Sequence, residues 1–190
     1  MKALVFSIAL MASAGLAAVA TAQPPGGPPP GPQPPNLVDM PGNTGKAKLT
    51  VTSAEVKQDV LIPNDNSSFG KSLSPQVTWT KGPASTKSYV VALEDSDAQA
   101  RGAPITHWVA FNVPGSSTSL PGGLPPQGTA TAPAGFTFGN NITGKPAYFG
   151  PRTPAKTTHH YHLQVLEYFI ILLLRQHQVQ AFGCGKQYFG

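Results

Sequence analysis

Two acidic side chains, Asp95 and Asp97, follow directly after an apolar segment. Side chains two residues apart in a strand lie on the same side of it. Two carboxylates at that distance repel each other, which raises the pKa of one of them, and such a pair can act as general acid and base. The alternative interpretation is a turn in which an Asp side chain binds the backbone. Taken alone, the two residues favour the turn.

A histidine cluster, His159, His160 and His162, forms the second group. His160 and His162 lie on one face of a strand and could bind Zn²⁺ or Cu²⁺. A third ligand would come from His107 or from one of the two aspartates. Two histidines at this spacing are common, so solvated histidines on an outer face are the simpler interpretation.

The third group is the segment Gly150-Pro-Arg-Thr-Pro154. Glycine permits close approach of a backbone, and the guanidinium of Arg152 offers paired donors to an oxyanion. A rigid turn is the alternative. The sequence contains no Gly-x-Ser-x-Gly and no Gly-rich phosphate loop, and its single cysteine, Cys184, lies outside the patterned region. Nucleophilic catalysis is therefore not predicted.

Short apolar or alternating segments separated by Pro, Gly, Ser and Asn must position these groups, which predicts a mainly β domain. The predicted strands are Leu49–Ser53, Gln76–Thr80, Ser88–Leu93, Thr106–Val113 and His159–Leu166. Alternation places His159 and Tyr161 on a face that becomes apolar further along the strand. In the Thr106 strand, it places His107 on one face with Val109 and Phe111.

The 190 residues suit one domain. Residues 1–22 have a single lysine, an apolar run and the small-residue end Ala20-Thr21-Ala22, as in a secretory signal. Residues 23–47 are a Pro/Gly-rich linker, and 48–166 form the domain. Residues 167–190 are an atypical tail, expected to be frameshifted, truncated or disordered. The tail's apolar run is shorter than the roughly 20 residues that a membrane-spanning helix needs.

The charge distribution and the cysteine content exclude one class of partner and one kind of cross-link. The net charge of +5 is spread without a cluster, so a nucleic-acid partner is not predicted. A single cysteine excludes a disulfide within the chain. The signal predicts a secreted or periplasmic protein with no transmembrane segment in the mature chain.

Five short motifs occur in an order that resembles the phosphatidylethanolamine-binding proteins, and most closely their bacterial Raf-kinase-inhibitor-like branch. These motifs are Ser74–Trp79, Leu93–Ala98, Thr106–Trp108, Gly150-Pro151 with Pro154, and His159–Tyr161. The resemblance covers about residues 49–166. It departs from the family at Ser96, where the family usually has proline, and beyond residue 166.

The resemblance implies a β-sandwich with a large central sheet, a second sheet and few short helices. Because the sequence departs from the family beyond residue 166, the C-terminal helix and strand of the family are expected to be missing or altered in this chain. It also implies a small pocket without metal or cofactor. Its ligand-binding residues would be Asp95, His107, Gly150, Pro154, His159 and Tyr161, supported by Asp97 and Arg152.

The expected function is that of an exported, non-enzymatic binding protein for phosphate-bearing head groups or other small anions. Two alternatives remain open. One is a protein-interaction module that inhibits a kinase or protease, and the other is a metal-dependent hydrolase that uses the histidine cluster.

Overall fold

Two antiparallel sheets form the domain in the computed structural model, which describes residues 3–11, 35–36, 39, 49–100, 103–125 and 135–168. Their strands are β1 (Ala3–Met11), β2 (Val51–Thr52), β3 (Val77–Trp79), β4 (Ser88–Ala100), β5 (Ala103–Pro114), β6 (Ser119–Leu120), β7 (Thr137–Phe138) and β8 (Thr158–Tyr168). The larger sheet has the order β1-β8-β4-β5-β7, and the smaller has the order β2-β3-β6. The prediction of a mainly β fold with one large and one small sheet is confirmed.

Helix is almost absent from the described residues, in which 3₁₀ conformation occurs at Asn64–Asn66 and at Asp39. None of these residues belongs to a helix long and apolar enough to cross a membrane.

The predicted strands are present, and β4 and β8 extend beyond their predicted ends. β8 continues to Tyr168, two residues past the predicted domain boundary. Strand β1 falls within the predicted signal and pairs antiparallel with β8, from Ala3 opposite Leu166 to Met11 opposite Thr158. The rest of that signal, most of the predicted linker and residues 169–190 of the predicted tail lie outside the described residues.

The core lies between the two sheets. Alternate residues of β4 and β8 face the small sheet, and their apolar side chains are almost completely buried. The ring of Tyr89 packs edge-on against Trp79 of β3, with ring centroids 5.2 Å apart. Burial of apolar surface is the main stabilising contribution in such a sandwich. The other face of β4 is also buried, with Val90 and Ala92 at most 2% exposed, as expected for a strand inside a sheet.

A β-bulge interrupts the pairing of β4 with β5 at His107. Leu93 lies opposite Trp108, but the next residue, Glu94, lies opposite Thr106, so His107 is left over. An extra residue of this kind turns its side chain away from the regular alternation. His107 therefore faces the core side with Trp108. The expectation that it shares a face with Val109 and Phe111 is wrong, because regular alternation along one strand does not predict where an extra residue is inserted.

Candidate functional site

Tyr161 lies at the centre of a group of side chains at the end of the large sheet where β4 ends and β5 and β8 begin. The ring of His107 meets it edge-on at a centroid distance of 5.3 Å, and the ring of His159 lies 6.4 Å away. Tyr161 is fully buried, and its hydroxyl makes no hydrogen bond of ordinary geometry to a described residue. Burial raises the pKa of this hydroxyl, and so do the negative charge of Asp95 and the approach of the Asp95 side chain to the hydroxyl.

Asp95 holds His159 and also shapes the chain after β4. Its Oδ2 accepts a hydrogen bond of 2.8 Å from Nδ1 of His159, and the two side chains are 3% and 14% exposed. Its Oδ1 accepts hydrogen bonds from the backbone N–H groups of Asp97 and Ala98, at 2.9 and 3.2 Å. This one carboxylate therefore both forms the predicted turn and orients the ring of His159. Nε2 of His159 remains as the nitrogen that can contact a ligand.

His107 is anchored through the backbone of Phe149. Its Nδ1 donates a hydrogen bond of 2.9 Å to the Phe149 carbonyl, and the Phe149 N–H donates one of the same length to the His107 carbonyl. The two rings stack with centroids 5.8 Å apart. A carbonyl only accepts, so Nδ1 carries the hydrogen. Burial lowers the pKa of His107, and the hydrogen bond to Phe149 and the charge of Asp95 oppose this shift.

Gly150 joins the site to the loop of residues 67–72. Its N–H donates to Oγ of Ser72 at 2.7 Å, and its carbonyl accepts a hydrogen bond from the Ser68 hydroxyl. A Cβ at this position would lie 2.5 Å from the carbonyl carbon of Ser67, so only glycine permits the approach. Both backbone groups of Gly150 are thus used within the protein. The assignment of Gly150 as a ligand-binding residue, which the resemblance implied, stays a prediction.

Pro154 and Arg152 lie in the exposed loop that leads from Gly150 to β8. The carbonyl of Pro154 accepts hydrogen bonds from the N–H and hydroxyl of Thr157, at 3.3 and 2.8 Å. The guanidinium carbon of Arg152 lies 5.8 Å from the ring centroid of Phe69.

Asp97 and His160 form a second acid–histidine pair outside this group. Oδ2 of Asp97 accepts hydrogen bonds from Nδ1 of His160, at 2.7 Å, and from the His160 backbone N–H. The expectation that Asp95 and Asp97 lie side by side is therefore wrong. The turn after Asp95 interrupts the strand pairing, and each carboxylate binds a different histidine.

His162, whose side chain is half-buried, lies within hydrogen-bond distance of Ser96, with Nε2 and Oγ 2.9 Å apart. Burial and then the charge of His160 lower its pKa. In the described part of the chain, no group of three or more His, Cys, Asp or Glu side chains is arranged to hold a metal ion. The predicted alternative of a metal centre on His160 and His162 thus gains no support from their positions.

Sequence analysis did not identify two aromatic residues that pack against the residues of the site. Phe149 stacks on His107, and the Tyr148 ring packs edge-on against Trp108 at a centroid distance of 5.9 Å. The Tyr148 hydroxyl donates to the backbone carbonyl of Asn66. Their position directly before Gly150-Pro151 was the available signal.

The two-sheet fold and the group of histidines, tyrosine and aspartate at one end of the large sheet define a class of small β-sandwich domains. The sequence model of the phosphatidylethanolamine-binding protein family matches residues 52–189. This chain belongs to the phosphatidylethanolamine-binding protein family.

Similar proteins come from archaea and bacteria. A UPF0098 protein of Pyrococcus horikoshii is 32% identical over 125 residues, which are 65% of this chain and 61% of that protein. One of Aquifex aeolicus is 30% identical over 68% of this chain and 71% of its own length. The chain therefore spans about three fifths of the length of the first relative and about seven tenths of the second.

Among solved structures, the crystal structure of Escherichia coli YbcL, described as a new member of the mammalian PEBP family, superimposes with a TM-score of 0.62. It is 27% identical and covers 68% of this chain and 82% of its own. This chain therefore shares its fold with that structure.

Proposed function

We propose that this chain is a non-enzymatic binding protein that holds phosphate-bearing head groups or other small anions between His107, His159 and Tyr161. The observation that carries the proposal is the Tyr161 hydroxyl, which is buried and makes no hydrogen bond of ordinary geometry to a described residue. An unsatisfied buried donor costs about 1–3 kcal/mol. An acceptor atom of a ligand would satisfy it.

The other groups around this hydroxyl favour a negatively charged ligand. Asp95 fixes Nδ1 of His159 as a donor at 2.8 Å, so protonated His159 presents Nε2–H to the ligand. Phe149 likewise fixes Nδ1 of His107 as a donor. Because burial lowers the pKa of His107, its Nε2 donates to an anion only when the ring takes up a second proton. Hydrogen bonds from charged donors to oxyanions are about twice as strong as neutral ones. The carboxylate of Asp95 accepts hydrogen bonds from His159 and from the backbone and also lies beside the Tyr161 hydroxyl. The groups that can donate to a ligand are therefore the two histidines and the tyrosine.

A location outside the cytoplasm belongs to this proposal. It is supported by the predicted signal in residues 1–22. It is also supported by a Mycobacterium tuberculosis relative that is named as a candidate lipoprotein, LppC. That protein is 32% identical over 114 residues, 60% of this chain and 52% of its own length.

A titration with inorganic phosphate and with phosphoethanolamine, followed by NMR of the histidine rings, tests the binding site. We expect the resonances of His107 and His159 to shift with saturation in the millimolar range. His159→Gln should weaken binding at least about tenfold, because it removes a charge-assisted hydrogen bond.

His160→Gln is the matched control, because His160 lies next in the same strand and also pairs with an aspartate, at 2.7 Å. It should leave the affinity unchanged. Histidine resonances that do not move with either ligand would overturn the proposal, and equal losses in the two variants would place the anion elsewhere.

A further inference from the structure

A serine and a histidine lie within hydrogen-bond distance of each other outside the candidate anion site. Oγ of Ser96, in the last part of β4, is 2.9 Å from Nε2 of His162 in β8. Alternation along β8 places His162 on the opposite face of the large sheet from Tyr161. The pair is therefore separate from the group of side chains around Tyr161, and the proposed function does not use it.

The nitrogen of His162 is the closer of two acceptors for the Ser96 hydroxyl. Nε2 of His162 lies at 2.9 Å and the His160 carbonyl oxygen at 3.4 Å, and hydrogen bonds weaken at the longer distance. In the tautomer that carries its hydrogen on Nδ1, Nε2 has the lone pair that accepts the hydroxyl hydrogen. A hydroxyl and an imidazole at this distance have the arrangement of a nucleophile and its general base.

The surroundings of His162 favour its neutral form, which is the form that can accept a proton. Burial and then the charge of His160 lower the pKa of His162 from the ordinary value of 6.5. Carboxylates oppose this shift through their charges, and these are Asp39, Asp97 and Asp95. On the neighbouring strand, Glu94 lies opposite His162. Because the pKa is lowered in spite of these acidic groups, the imidazole is neutral near pH 7.

The backbone around Ser96 is fixed by the turn that follows Asp95. Oδ1 of Asp95 accepts hydrogen bonds from the N–H groups of Asp97 and Ala98, at 2.9 and 3.2 Å. Ser96 lies between the acceptor and these donors in the chain, so the turn holds it beside β8. A nucleophile that is already held next to its base loses less entropy on reaching the transition state.

The pair is open to solvent on one side. Ser96 is partly exposed, and the neighbouring side chains of Asp97 and His160 are 37% and 52% exposed. The ring of His162 is half-buried. A small reagent can therefore approach Oγ of Ser96 from the solvent side while the base lies behind it.

We propose that Ser96 is a nucleophile, activated by His162, that accepts an acyl group from a small activated ester. Oγ of Ser96 attacks the carbonyl carbon, and the hydroxyl proton passes to Nε2 of His162. The bond between the carbonyl carbon and the leaving oxygen then breaks, and the leaving alcohol takes the proton from His162. The products are an ester on Ser96 and the free alcohol. This modification of one residue goes beyond the proposed anion binding and does not depend on it.

Acetylation of the full chain by p-nitrophenyl acetate tests the proposal without any substitution. Peptide mass spectrometry locates the acetyl groups and follows their formation with time. We expect Ser96 to be acetylated about a hundredfold faster than Ser119, an exposed serine of β6 that serves as internal reference. A Ser96 that reacts no faster than Ser119 would overturn the proposal.

The pH dependence of the same reaction identifies the base. Protonated His162 cannot accept the serine proton, so the rate should fall as pH decreases through the lowered pKa of His162 and should level off above it. An ordinary serine reacts through hydroxide, and its rate continues to rise with pH. A rate at Ser96 that rises continuously would show that the contact with His162 is structural only and would overturn the proposal.

Substitution of the histidine gives a second test. His162→Gln should slow the acetylation of Ser96 about a hundredfold, because glutamine can make a hydrogen bond but is not a base. His160→Gln is the matched control on the same face of β8, and above neutral pH, where His162 is neutral in both proteins, it should leave the rate unchanged. Circular dichroism shows whether each variant folds, and the pH profile of the wild type decides if His162→Gln does not. An equal rate in folded His162→Gln and in the wild type would overturn the proposal.

Discussion

Tyr161 affects both the stability of this protein and its proposed binding activity. Its ring is packed between two histidines and completely buried, yet its hydroxyl makes no hydrogen bond of ordinary geometry to a described residue. Such a group lowers the stability of the free protein and would gain a partner only when a ligand binds. Groups of this kind are typical of binding sites, where function often requires lower local stability.

Tyr161→Phe should therefore leave the free energy of unfolding unchanged or raise it by about 1 kcal/mol, because it removes a desolvated donor, while it weakens phosphate binding. Urea denaturation and the phosphate titration measure the two effects. Tyr89→Phe is the matched control, since Tyr89 is equally buried but accepts a 2.9 Å hydrogen bond from the Gly82 N–H. It should cost about 1 kcal/mol. A destabilisation of Tyr161→Phe as large as that of the control would contradict this account.

Stability should also depend on pH through His107. Burial lowers its pKa from the ordinary value of 6.5, and His162 shifts in the same direction. Below about pH 6.5 the unfolded chain binds protons that the folded chain does not, so stability falls as pH decreases towards the lowered values and is fully present above 6.5.

We expect a lower urea midpoint at about pH 5.5 than at about pH 7.5, with a smaller difference in His107→Gln. Adding phosphate should reduce the loss at the lower pH, because a bound anion favours protonated His107. A midpoint that rises on acidification would show that these histidines are not buried in their neutral form.

At the scale of elements, the contact between the Gly150 loop and residues 67–72 holds the site together. Gly150→Ala should lower the free energy of unfolding by about 2–3 kcal/mol, because the added carbon overlaps backbone atoms of Ser67 and Ser68. It should also displace Phe149 and weaken anion binding. Thermal denaturation and the phosphate titration measure these losses.

Gly144→Ala is the control for the backbone effect alone. Gly144 has a φ of +80° and no atom within 4 Å of an added Cβ, so we expect a loss of about 1 kcal/mol without a change in binding. Equal losses in both variants would mean that the Gly150 contact does not position the site.

The elements that the sequence predicts well are those with a long hydrophobic pattern. The alternation in β8 correctly separates His159 and Tyr161 from His160 and His162. Strands β6 and β7 have two residues each, too few to show a period. The faces of β5 are predicted wrongly at His107, because the bulge is specified by pairing with β4, a non-local interaction that a pattern along one strand does not contain.

The site was predictable to a similar extent. Asp95, His107, His159 and Tyr161 were identified by resemblance, and the structure brings them together. The structural role of Gly150 was not predictable from the sequence, since its hydrogen bonds are made with serines about 80 residues away in the chain. Phe149 acts mainly through its carbonyl and ring stacking, which residue type alone does not reveal.

At the scale of the whole molecule, β1 covers the outer edge of β8 over nine residue pairs. If residues 1–22 are removed as predicted for a secretory signal, this edge loses its partner. An unpaired edge strand is a template for another strand. We expect a chain beginning at residue 23 to self-associate with increasing concentration, and the full chain to do so less.

Sedimentation velocity over a range of concentrations measures this difference. Gln164→Lys is not a suitable substitution for preventing strand pairing at this edge, because Gln164 is buried and donates a hydrogen bond of 2.6 Å to Glu94. Thr158→Pro, at the exposed start of β8, removes one edge donor and should reduce association. A processed chain that stays monomeric at every concentration would show that the edge is covered in another way.

The family match runs to residue 189, although residues 169–190 lie outside the described part. The expectation of a frameshifted or altered tail stays a prediction. Reading the coding DNA after the Leu166 codon in the other two frames remains its direct test.

The bulge at His107 has a consequence for comparing this chain with its relatives. Deleting His107, the single residue between Thr106 and Trp108, would leave Leu93 opposite Trp108 and Glu94 opposite Thr106 in uninterrupted pairing, and the imidazole beside Tyr161 would be lost. Substitutions at the flanking positions would not do this. A one-residue gap in an alignment at this point therefore marks homologues that lack this candidate binding histidine.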